Sequence, residues 1–264
     1  MQAIVTIENL TIAFTSMYGK NYAVRDLSLQ IPRAKTLGLV GESGCGKSVT
    51  AYSLLQLVPK PGVIEKGAIM YNTLNLLQCP DATLQSIRGK NISMIFQEPM
   101  TSLNPVFTIG YQVQEAVELH LHLQKAEAKD YTIALLGKAG IPSPSSRYYS
   151  YPHELSGGLR QRAMIAMALA AKPELLIADE PTTALDVTIQ SQILDLLLTL
   201  QKSQHMSMLL ITHDLGIVAN VADVIAIMYA GEIVEIAPTR EIFNNFLHPY
   251  TQGLMSCIPS LHKK

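Results

Sequence analysis

The segment that most constrains the fold of this chain is a glycine-rich loop between a short apolar run and a helix-like stretch. Residues 41–48 read Gly-Glu-Ser-Gly-Cys-Gly-Lys-Ser and fit the pattern GxxxxGK[ST] at every fixed position. The run Thr36–Val40 before the loop is typical of a strand, and Lys47–Leu57 after it is typical of a helix that ends before Pro59. Backbone N–H groups and a helix N-terminus then converge on one point, which favours an anion. The sequence therefore predicts a strand, a phosphate-binding loop and a helix in succession.

The phosphate loop supplies most of the candidate nucleotide-binding residues. Its pattern assigns Lys47 to the β- and γ-phosphates of a nucleotide and Ser48 to Mg²⁺. The predicted nucleotide contacts in this segment are Gly41, Glu42, Ser43, Gly44, Cys45, Gly46, Lys47, Ser48 and Val49. A phosphate loop alone leaves kinases, GTPases and many kinds of ATPase open.

Further apolar runs predict an α/β fold. Continuous apolar runs bounded by polar residues are typical of parallel strands covered on both faces. They occur at Ile92–Phe96, Leu175–Ala178, Leu209–Thr212 and Val224–Met228. Together with the phosphate loop they predict a P-loop NTPase core of the RecA-like type, with a mostly parallel sheet.

Two other regions complete the predicted architecture. Near the start, Ile4–Leu10 and Leu27–Ile31 predict an antiparallel β-subdomain. Between the core strands, Ile109–Gly140 predicts a largely helical insertion. A helix predicted over Val187–Ser203 carries one apolar stripe, typical of core rather than of a cofactor site: Ile189, Ile193, Leu196, Leu197 and Leu200.

Two adjacent carboxylates follow the run Leu175–Ala178. Successive side chains of a strand point to opposite faces, so Asp179 and Glu180 can act differently. We expect Asp179 to hold the Mg²⁺ shell and Glu180 to polarise an attacking water as general base. An acidic pair before a proline is by itself often a solvated strand end, but the phosphate loop in the same chain favours the catalytic interpretation.

A second candidate anion site lies at 155–162, which reads Leu-Ser-Gly-Gly-Leu-Arg-Gln-Arg. Ser156, Gly157 and Gly158 come just before an apolar helix predicted to run to Ala171, so they offer a hydroxyl and exposed amides at a helix N-terminus. One chain then carries two half-sites for phosphate. Within one chain the second would be redundant, but presented to another chain it closes a sandwich around one nucleotide.

Residues 155–162 resemble the LSGGQ-type signature of ABC ATPases, and the other elements of that family follow in order over nearly the whole chain. The resemblance implies ATP and Mg²⁺ as ligands and an ATPase as the activity. It implies that Gln97 touches Mg²⁺ or the attacking water, that His213 contacts the γ-phosphate, and that Asp186 crosses a dimer interface. The catalytic set is Lys47, Gln97, Glu180 and His213; the Mg²⁺ set is Ser48, Gln97 and Asp179; the signature set is Leu155, Ser156, Gly157, Gly158 and Gln161; and the segment after the acidic pair is Ala184, Leu185 and Asp186.

The resemblance also implies an aromatic side chain that stacks on adenine. We expect Tyr18, which lies in a loop of the first β-subdomain at the approximate family distance before Lys47. Tyr22 and Phe14 are the alternatives.

Two further segments resemble the peptide/nickel importer branch of the family. One is 98–105, after the glutamine, and the other is His-Pro-Tyr-Thr at 248–251 with Ile-Pro at 258–259. The branch implies a paralogous ATPase subunit, two permeases and an extracytoplasmic solute-binding protein as partners. Peptide members usually continue into a cysteine-containing extension, and this sequence stops at Lys264. We therefore expect a nickel or metal-chelate importer, with di- or oligopeptide import as the alternative.

Composition narrows the class of protein. A formal net charge of −1 offers no broad basic surface for nucleic acid, and three scattered cysteines favour a reducing compartment. Mean hydropathy is +0.20, but the richest apolar stretch, 209–236, is interrupted by charges and does not predict a membrane span. The start of the chain does not resemble a secretory signal. We expect a location at the cytoplasmic face of the membrane, with attachment through the permeases only.

Two other classes of protein share part of the pattern. A soluble ABC ATPase of translation or DNA repair usually has two cassettes, coiled-coil insertions or basic arms, and a small-molecule P-loop kinase lacks the signature. We expect one cassette over 1–264, with the β-subdomain and the RecA-like core at 1–98 and 160–236, a helical subdomain at 99–159 and a C-terminal helical tail at 237–264.

Overall fold

The computed structural model describes residues 2–17, 19–98, 102–183 and 185–256. The chain divides into two compact units, one of Met1–Leu84 with Ser207–Lys264 and one of Gln85–Met206. The predicted helical segment 99–159 lies within the second unit, and its finer boundaries stay a prediction. Among the described residues, no helix is long and apolar enough to cross a bilayer.

Strands and helices alternate along most of the chain. The strands are β1 Ala3–Ser16, β2 Gly19–Pro32, β3 Thr36–Val40, β4 Gly62–Tyr71, β5 Leu74–Asn75, β6 Ile92–Ile95, β7 Leu175–Asp179, β8 Ser207–Thr212, β9 Val224–Tyr229 and β10 Glu232–Pro238. The α-helices are α1 Lys47–Leu54, α2 Asp81–Ile87, α3 Ile109–Leu121, α4 Lys125–Lys138, α5 Pro144–Arg147, α6 Gly157–Ala168, α7 Val187–Gln204, α8 Leu215–Val221, α9 Thr239–Asn244 and α10 Pro249–Ser256.

The first unit opens with an antiparallel sheet of order β2-β1-β4-β5. Strands β1 and β2 extend beyond the predicted Ile4–Leu10 and Leu27–Ile31, because their more polar ends continue to pair as far as Ser16 and Gly19. Apolar side chains drive this sheet: Val5, Leu10 and Ile12 of β1 are fully buried. The predicted antiparallel subdomain is confirmed.

Parallel strand pairs form the core of each unit. In the first unit, β3 pairs in parallel with β8 on one side and with β9 on the other, and β10 runs antiparallel to β9. In the second unit, β6 pairs in parallel with β7. Every residue of β3, β6, β7 and β8 is buried, as continuous apolar runs predict. The predicted α/β class with a mostly parallel core is confirmed.

Three helices end earlier than predicted, and at or just beyond the ends of two of them a residue adopts a left-handed backbone conformation. Helix α1 ends at Leu54 and not at Leu57, and Gln56 beyond it has φ +49°. The predicted helical stretch Ile109–Gly140 is two helices, since His122 at φ +56° ends α3. An L-residue at positive φ cannot continue a right-handed helix. The helix predicted to reach Ala171 ends at Ala168.

The C-terminal part of the described chain packs on the core of the first unit. A buried cluster contains Val40, Leu215, Val218, Ile225, Ile227 and Ile242. Tyr250, Leu254 and Met255 of α10 pack against this cluster as partly buried side chains. The predicted helical tail 237–264 is helical over α9 and α10, and 257–264 lie outside the described residues.

Candidate functional site

The phosphate loop joins β3 to α1 in the first unit. Gly46 is the N-cap of α1, with φ +111° and no side-chain cap. The amides of the first helical turn are the groups that bind anions at a helix N-terminus. Lys47 is 5% exposed, and its ammonium group donates hydrogen bonds to the carbonyl oxygens of Gly41 and Glu42, each at 2.8 Å. The predicted lysine charge therefore lies within the loop that is predicted to bind phosphate.

Close packing requires two of the loop glycines. A Cβ on Gly41 would lie 2.2 Å from the carbonyl oxygen of Met228, and a Cβ on Gly46 would lie 2.2 Å from that of Ala23. Moving either carbonyl oxygen to make room for a Cβ would disturb the close packing of the strands. At Gly44, with φ +80°, a Cβ would meet nothing within 4 Å. The inner side of the loop is thus closed by the backbone of neighbouring strands, and the side at Gly44 is open.

The side chain of Cys45 in the loop is also buried. It is 7% exposed, and burial raises the pKa of its thiol although Lys47 opposes the shift. Because the thiolate is the reactive form, this cysteine is a packing residue rather than an activated nucleophile.

In the second unit, the acidic pair Asp179 and Glu180 lies at the carboxyl end of β7. Asp179 is fully buried, whereas Glu180 is half-buried and has φ +46°. The carboxylate oxygen Oε2 of Glu180 accepts hydrogen bonds from Gln97 Nε2 at 3.0 Å and from Thr183 Oγ1 at 2.8 Å. A strained backbone conformation costs on the order of 1–3 kcal/mol and clusters at active sites. The structure therefore brings two predicted catalytic residues, Gln97 and Glu180, into direct contact.

The signature segment forms the start of α6. Ser156 is the N-cap, and its hydroxyl oxygen accepts a hydrogen bond from Leu159 N at 3.4 Å. Ser156 and Gly157 are exposed and Gly158 is half-buried. Leu155 and Gln161 are buried, at 3% and 2% exposure. The edge that another molecule could touch is thus the serine with its two glycines, while the buried pair anchors the helix.

The segment after the acidic pair lies against the signature. A Cβ on Gly157 would lie 3.5 Å from Leu185, and a Cβ on Gly158 would lie 2.8 Å from Ile189 of α7. Asp186, the N-cap of α7, is exposed, and Val187 beside it is 80% exposed. Ala184 lies outside the described residues. Asp186 and Val187 are therefore both accessible at the start of α7.

The remaining predicted residues are placed as follows. His213 is exposed at the end of β8, where Asp214 caps α8 by accepting from Gly216 N at 2.7 Å. Ser48 and Val49 are half-buried in the first turn of α1. Tyr18, the predicted adenine-stacking residue, lies outside the described residues.

The two alternatives to Tyr18 have other contacts. The ammonium group of Lys20 lies 5.1 Å from the ring centroid of Tyr22. The ring of Phe14 packs so closely on Gly62 that a Cβ there would lie 2.8 Å from it. Neither contact assigns an adenine-binding role.

A cavity of about 630 Å³ lies in the second unit, and none of its lining residues belongs to the predicted motifs. It is lined by Gln85, Ser86, Arg88, Gly89, Lys90, Leu119, His120 and His122. Burial, with the charges of Lys90 and His122, lowers the pKa of His120. No cluster of three or more metal-ligating side chains occurs in the described ranges. This cavity therefore does not coincide with the predicted site.

Comparison with known proteins identifies the family. The family model described as "ABC transporter" matches residues 24–183. The chain belongs to the ABC transporter family. A second family model, "Oligopeptide/dipeptide transporter, C-terminal region", matches residues 234–264.

Curated relatives match almost the whole chain. The oligopeptide transport ATP-binding protein OppD of Bacillus subtilis (strain 168) is 49% identical over 98% of this chain and 72% of the relative. The dipeptide transport ATP-binding protein DppD of the same strain is 47% identical over 99% of this chain and 78% of the relative. The chain is thus an ABC-type ATPase domain homologous to transporter ATP-binding proteins.

A solved structure supports the same identification. A dimeric structure of the ATP-binding cassette MJ0796, in a post-hydrolysis state bound to ADP and Pi, matches with a TM-score of 0.79 and 25% identity. The match covers 89% of this chain and 99% of that chain. The cassette fold of the ABC ATPases is therefore shared.

These comparisons do not support the predicted preference for nickel. That preference depended on where the sequence ends, which carries no information about the solute. The matched C-terminal region and the relatives are instead those of oligopeptide and dipeptide transporters.

Two features of the site were not predicted from the sequence. Thr183 shares Glu180 with Gln97, and the Tyr250 hydroxyl lies 3.1 Å from the amide of Glu42 in the phosphate loop. The sequence His-Pro-Tyr-Thr marked Tyr250 only as a feature of the family branch. Spacing along the chain gives no sign of either contact.

Proposed function

We propose that this chain binds MgATP and hydrolyses it as the ATPase subunit of an importer of peptides. The observation that carries the catalytic part is the carboxylate of Glu180, held at the end of β7 by hydrogen bonds from Gln97 and Thr183. A general base must be held in one orientation to accept a proton from water. Two donors on one oxygen supply that orientation.

In this proposal hydrolysis is an in-line attack of water on the γ-phosphorus. Glu180 accepts a proton as the new P–O bond forms, the bond to the bridging oxygen breaks, and ADP and inorganic phosphate are the products. Lys47 and the amides of the loop offset the charge on the phosphates. His213 contacts the γ-phosphate, and Tyr18 stacks on adenine.

We assign Ser48, Gln97 and Asp179 to Mg²⁺, whose bound charge would offset that of the phosphates. The fully buried carboxylate of Asp179 fits a cation, because a buried carboxylate is paired or coordinates a metal. Hydroxyl, amide and carboxylate oxygens are also the donors that Mg²⁺ prefers.

The signature is assigned to the nucleotide of a second, paralogous ATPase. Ser156, Gly157 and Gly158 would donate to its phosphates, and Asp186 would cross the interface. Exposure of the serine–glycine edge and of Val187 supports this role. Leu155 and Gln161, both buried, would act by anchoring α6. Association driven by ATP and reversed by hydrolysis would supply the work of transport.

A surface in the second unit is suited to a permease. The start of α3 lies beside the segment that follows α5, with Ile109 N donating to Ser150 O at 2.9 Å and Gly110 N donating to Tyr148 O at 3.0 Å. Large apolar side chains are exposed on these segments: Val106, Phe107, Tyr111, Tyr149 and Tyr151. An exposed aromatic patch of this kind is typical of a protein–protein interface. Through it the chain would attach to two permeases at the cytoplasmic face, with a solute-binding protein on the other side.

Uptake assays test the solute. In a strain lacking this gene, we expect uptake of a radiolabelled dipeptide or tripeptide to return with the wild-type gene and to stay at the deletion background with Lys47→Ala. The control Lys66→Ala, which alters an exposed lysine on β4, should restore uptake. Loss of nickel uptake with peptide uptake intact would contradict the peptide assignment.

A further inference from the structure

The C-terminal helix contacts the phosphate loop directly. The hydroxyl oxygen of Tyr250, in the first turn of α10, accepts a hydrogen bond of 3.1 Å from the backbone N–H of Glu42. The two residues are 208 positions apart in the sequence. Burial raises the pKa of the Tyr250 phenol, so it is a neutral hydroxyl at physiological pH.

The bonded peptide group also faces the loop lysine. Gly41 C=O and Glu42 N–H belong to one peptide unit, which is planar and points these two groups in opposite directions. The carbonyl accepts from Lys47 Nζ at 2.8 Å, and the N–H donates to Tyr250. One rigid unit is thus held from both sides, and it supplies one of the two carbonyl oxygens that bind the lysine ammonium group.

Surrounding contacts fix the position of the tyrosine. The carboxylate of Glu235 accepts hydrogen bonds from Leu247 N at 2.8 Å and from His248 N at 3.1 Å. The ring nitrogen Nδ1 of His248 accepts from Tyr250 N at 3.1 Å. These bonds fix the backbone at the start of α10. The Tyr250 side chain therefore loses little conformational entropy when its hydroxyl bonds to Glu42 N.

A second contact supports the phosphate loop, and it comes from the turn between β9 and β10. The rings of Tyr250 and Tyr229 lie 4.4 Å apart between centroids. After Tyr229, at the turn between β9 and β10, Gly231 N donates a 3.0 Å hydrogen bond to Cys45 O. The ring pair therefore links the two contacts that support the loop.

We propose that Tyr250 is a positioning residue of the phosphate loop, through which the C-terminal segment 234–256 sets the affinity of the loop for nucleotide. Its hydroxyl holds the Gly41–Glu42 peptide unit so that Lys47 and the loop amides converge on phosphate. This inference rests on the proposed nucleotide-binding function. It gives the His-Pro-Tyr sequence of this chain a physical role that is independent of the transported solute.

The test replaces Tyr250 by phenylalanine, which removes the hydroxyl and keeps the ring. The matched control is Tyr229→Phe, which removes a hydroxyl from the same ring pair and leaves the contact with Glu42 intact. Titration calorimetry of the full chain with MgADP should give a dissociation constant about threefold to tenfold larger for Tyr250→Phe and near wild type for Tyr229→Phe. In steady-state assays the KM for ATP should rise by the same factor with kcat little changed.

Two further measurements keep the result interpretable. Melting temperature without nucleotide reports whether Tyr250→Phe is folded, and hydrogen exchange of the peptide covering 41–46 should be faster in this variant. A lower melting temperature with unchanged MgADP affinity and KM would mean a structural role only and would overturn the inference. Absence of MgADP binding by the wild-type chain would instead contradict the proposed function itself.

Discussion

Replacing Glu180 by glutamine is expected to lower the rate of ATP hydrolysis by roughly 10²–10⁴-fold, the usual contribution of a positioned general base. The amide has the shape of the carboxylate and its oxygen can still accept from Gln97 and Thr183, but it cannot take a proton from water. Release of inorganic phosphate by the assembled complex under saturating MgATP measures the effect.

The same variant should bind ATP as tightly as the wild type, because the phosphate loop is unchanged. ATP should therefore still drive association with the partner ATPase, and the associated state should persist. Asp195→Asn, which neutralises an exposed carboxylate on α7 of the same unit, is the control and should leave turnover unchanged. Normal turnover by Glu180→Gln would refute the role of Glu180.

Replacing Ser156 by arginine is expected to reduce ATP turnover of the assembled complex by about 10²-fold, the cost typical of losing a donor to transition-state charge. The exposed edge of Ser156 and Gly157 is the proposed contact with the partner's nucleotide. A long side chain there holds the two subunits apart. Binding of MgATP to this chain should be retained, because its own phosphate loop is untouched.

An arginine at Ser145, an exposed serine in α5 of the same unit, is the control for added bulk and charge. It should leave turnover unchanged. Loss of the N-cap hydroxyl at Ser156 costs about 1 kcal/mol of helix stability, so melting curves should accompany the rate measurements. Full turnover by a folded Ser156→Arg variant would contradict the shared-nucleotide account and favour an enzyme that works as a single subunit.

The sequence predicts those parts of the molecule that depend on local chemistry. The strand Thr36–Val40 is found with the predicted bounds, because an apolar run that ends in a glycine loop leaves few alternatives. The second apolar strand, β7, ends at the predicted acidic pair. The phosphate loop and the acidic pair each follow directly after a strand, so the types and order of the residues are enough to predict where they lie.

Contacts between distant segments are not predictable in this way. Glu180 and Gln97 are 83 residues apart, and the left-handed backbone of Glu180 contradicts what residue type alone favours. The bond between Tyr250 and Glu42 depends on packing of α10 against the core of the first unit. Only the tertiary structure determines these distances.

The identity of the transported solute cannot be predicted from the catalytic motifs. None of the motif residues is expected to touch the transported peptide or nickel, so the chemistry of ATP hydrolysis does not indicate the class of solute. The C-terminal region, residues 234–264, carries the family signal for oligopeptide and dipeptide transporters. Likeness to relatives, and not the chemistry of the site, is therefore what favours peptides over nickel.

The most direct test of the central claim is titration calorimetry of the purified chain with MgATP, comparing wild type with Lys47→Ala and with the exposed control Lys66→Ala. We predict one saturable site in the wild type and in the control, and no detectable binding in Lys47→Ala. Absence of binding by the wild-type chain, or equal binding by Lys47→Ala, would contradict the account.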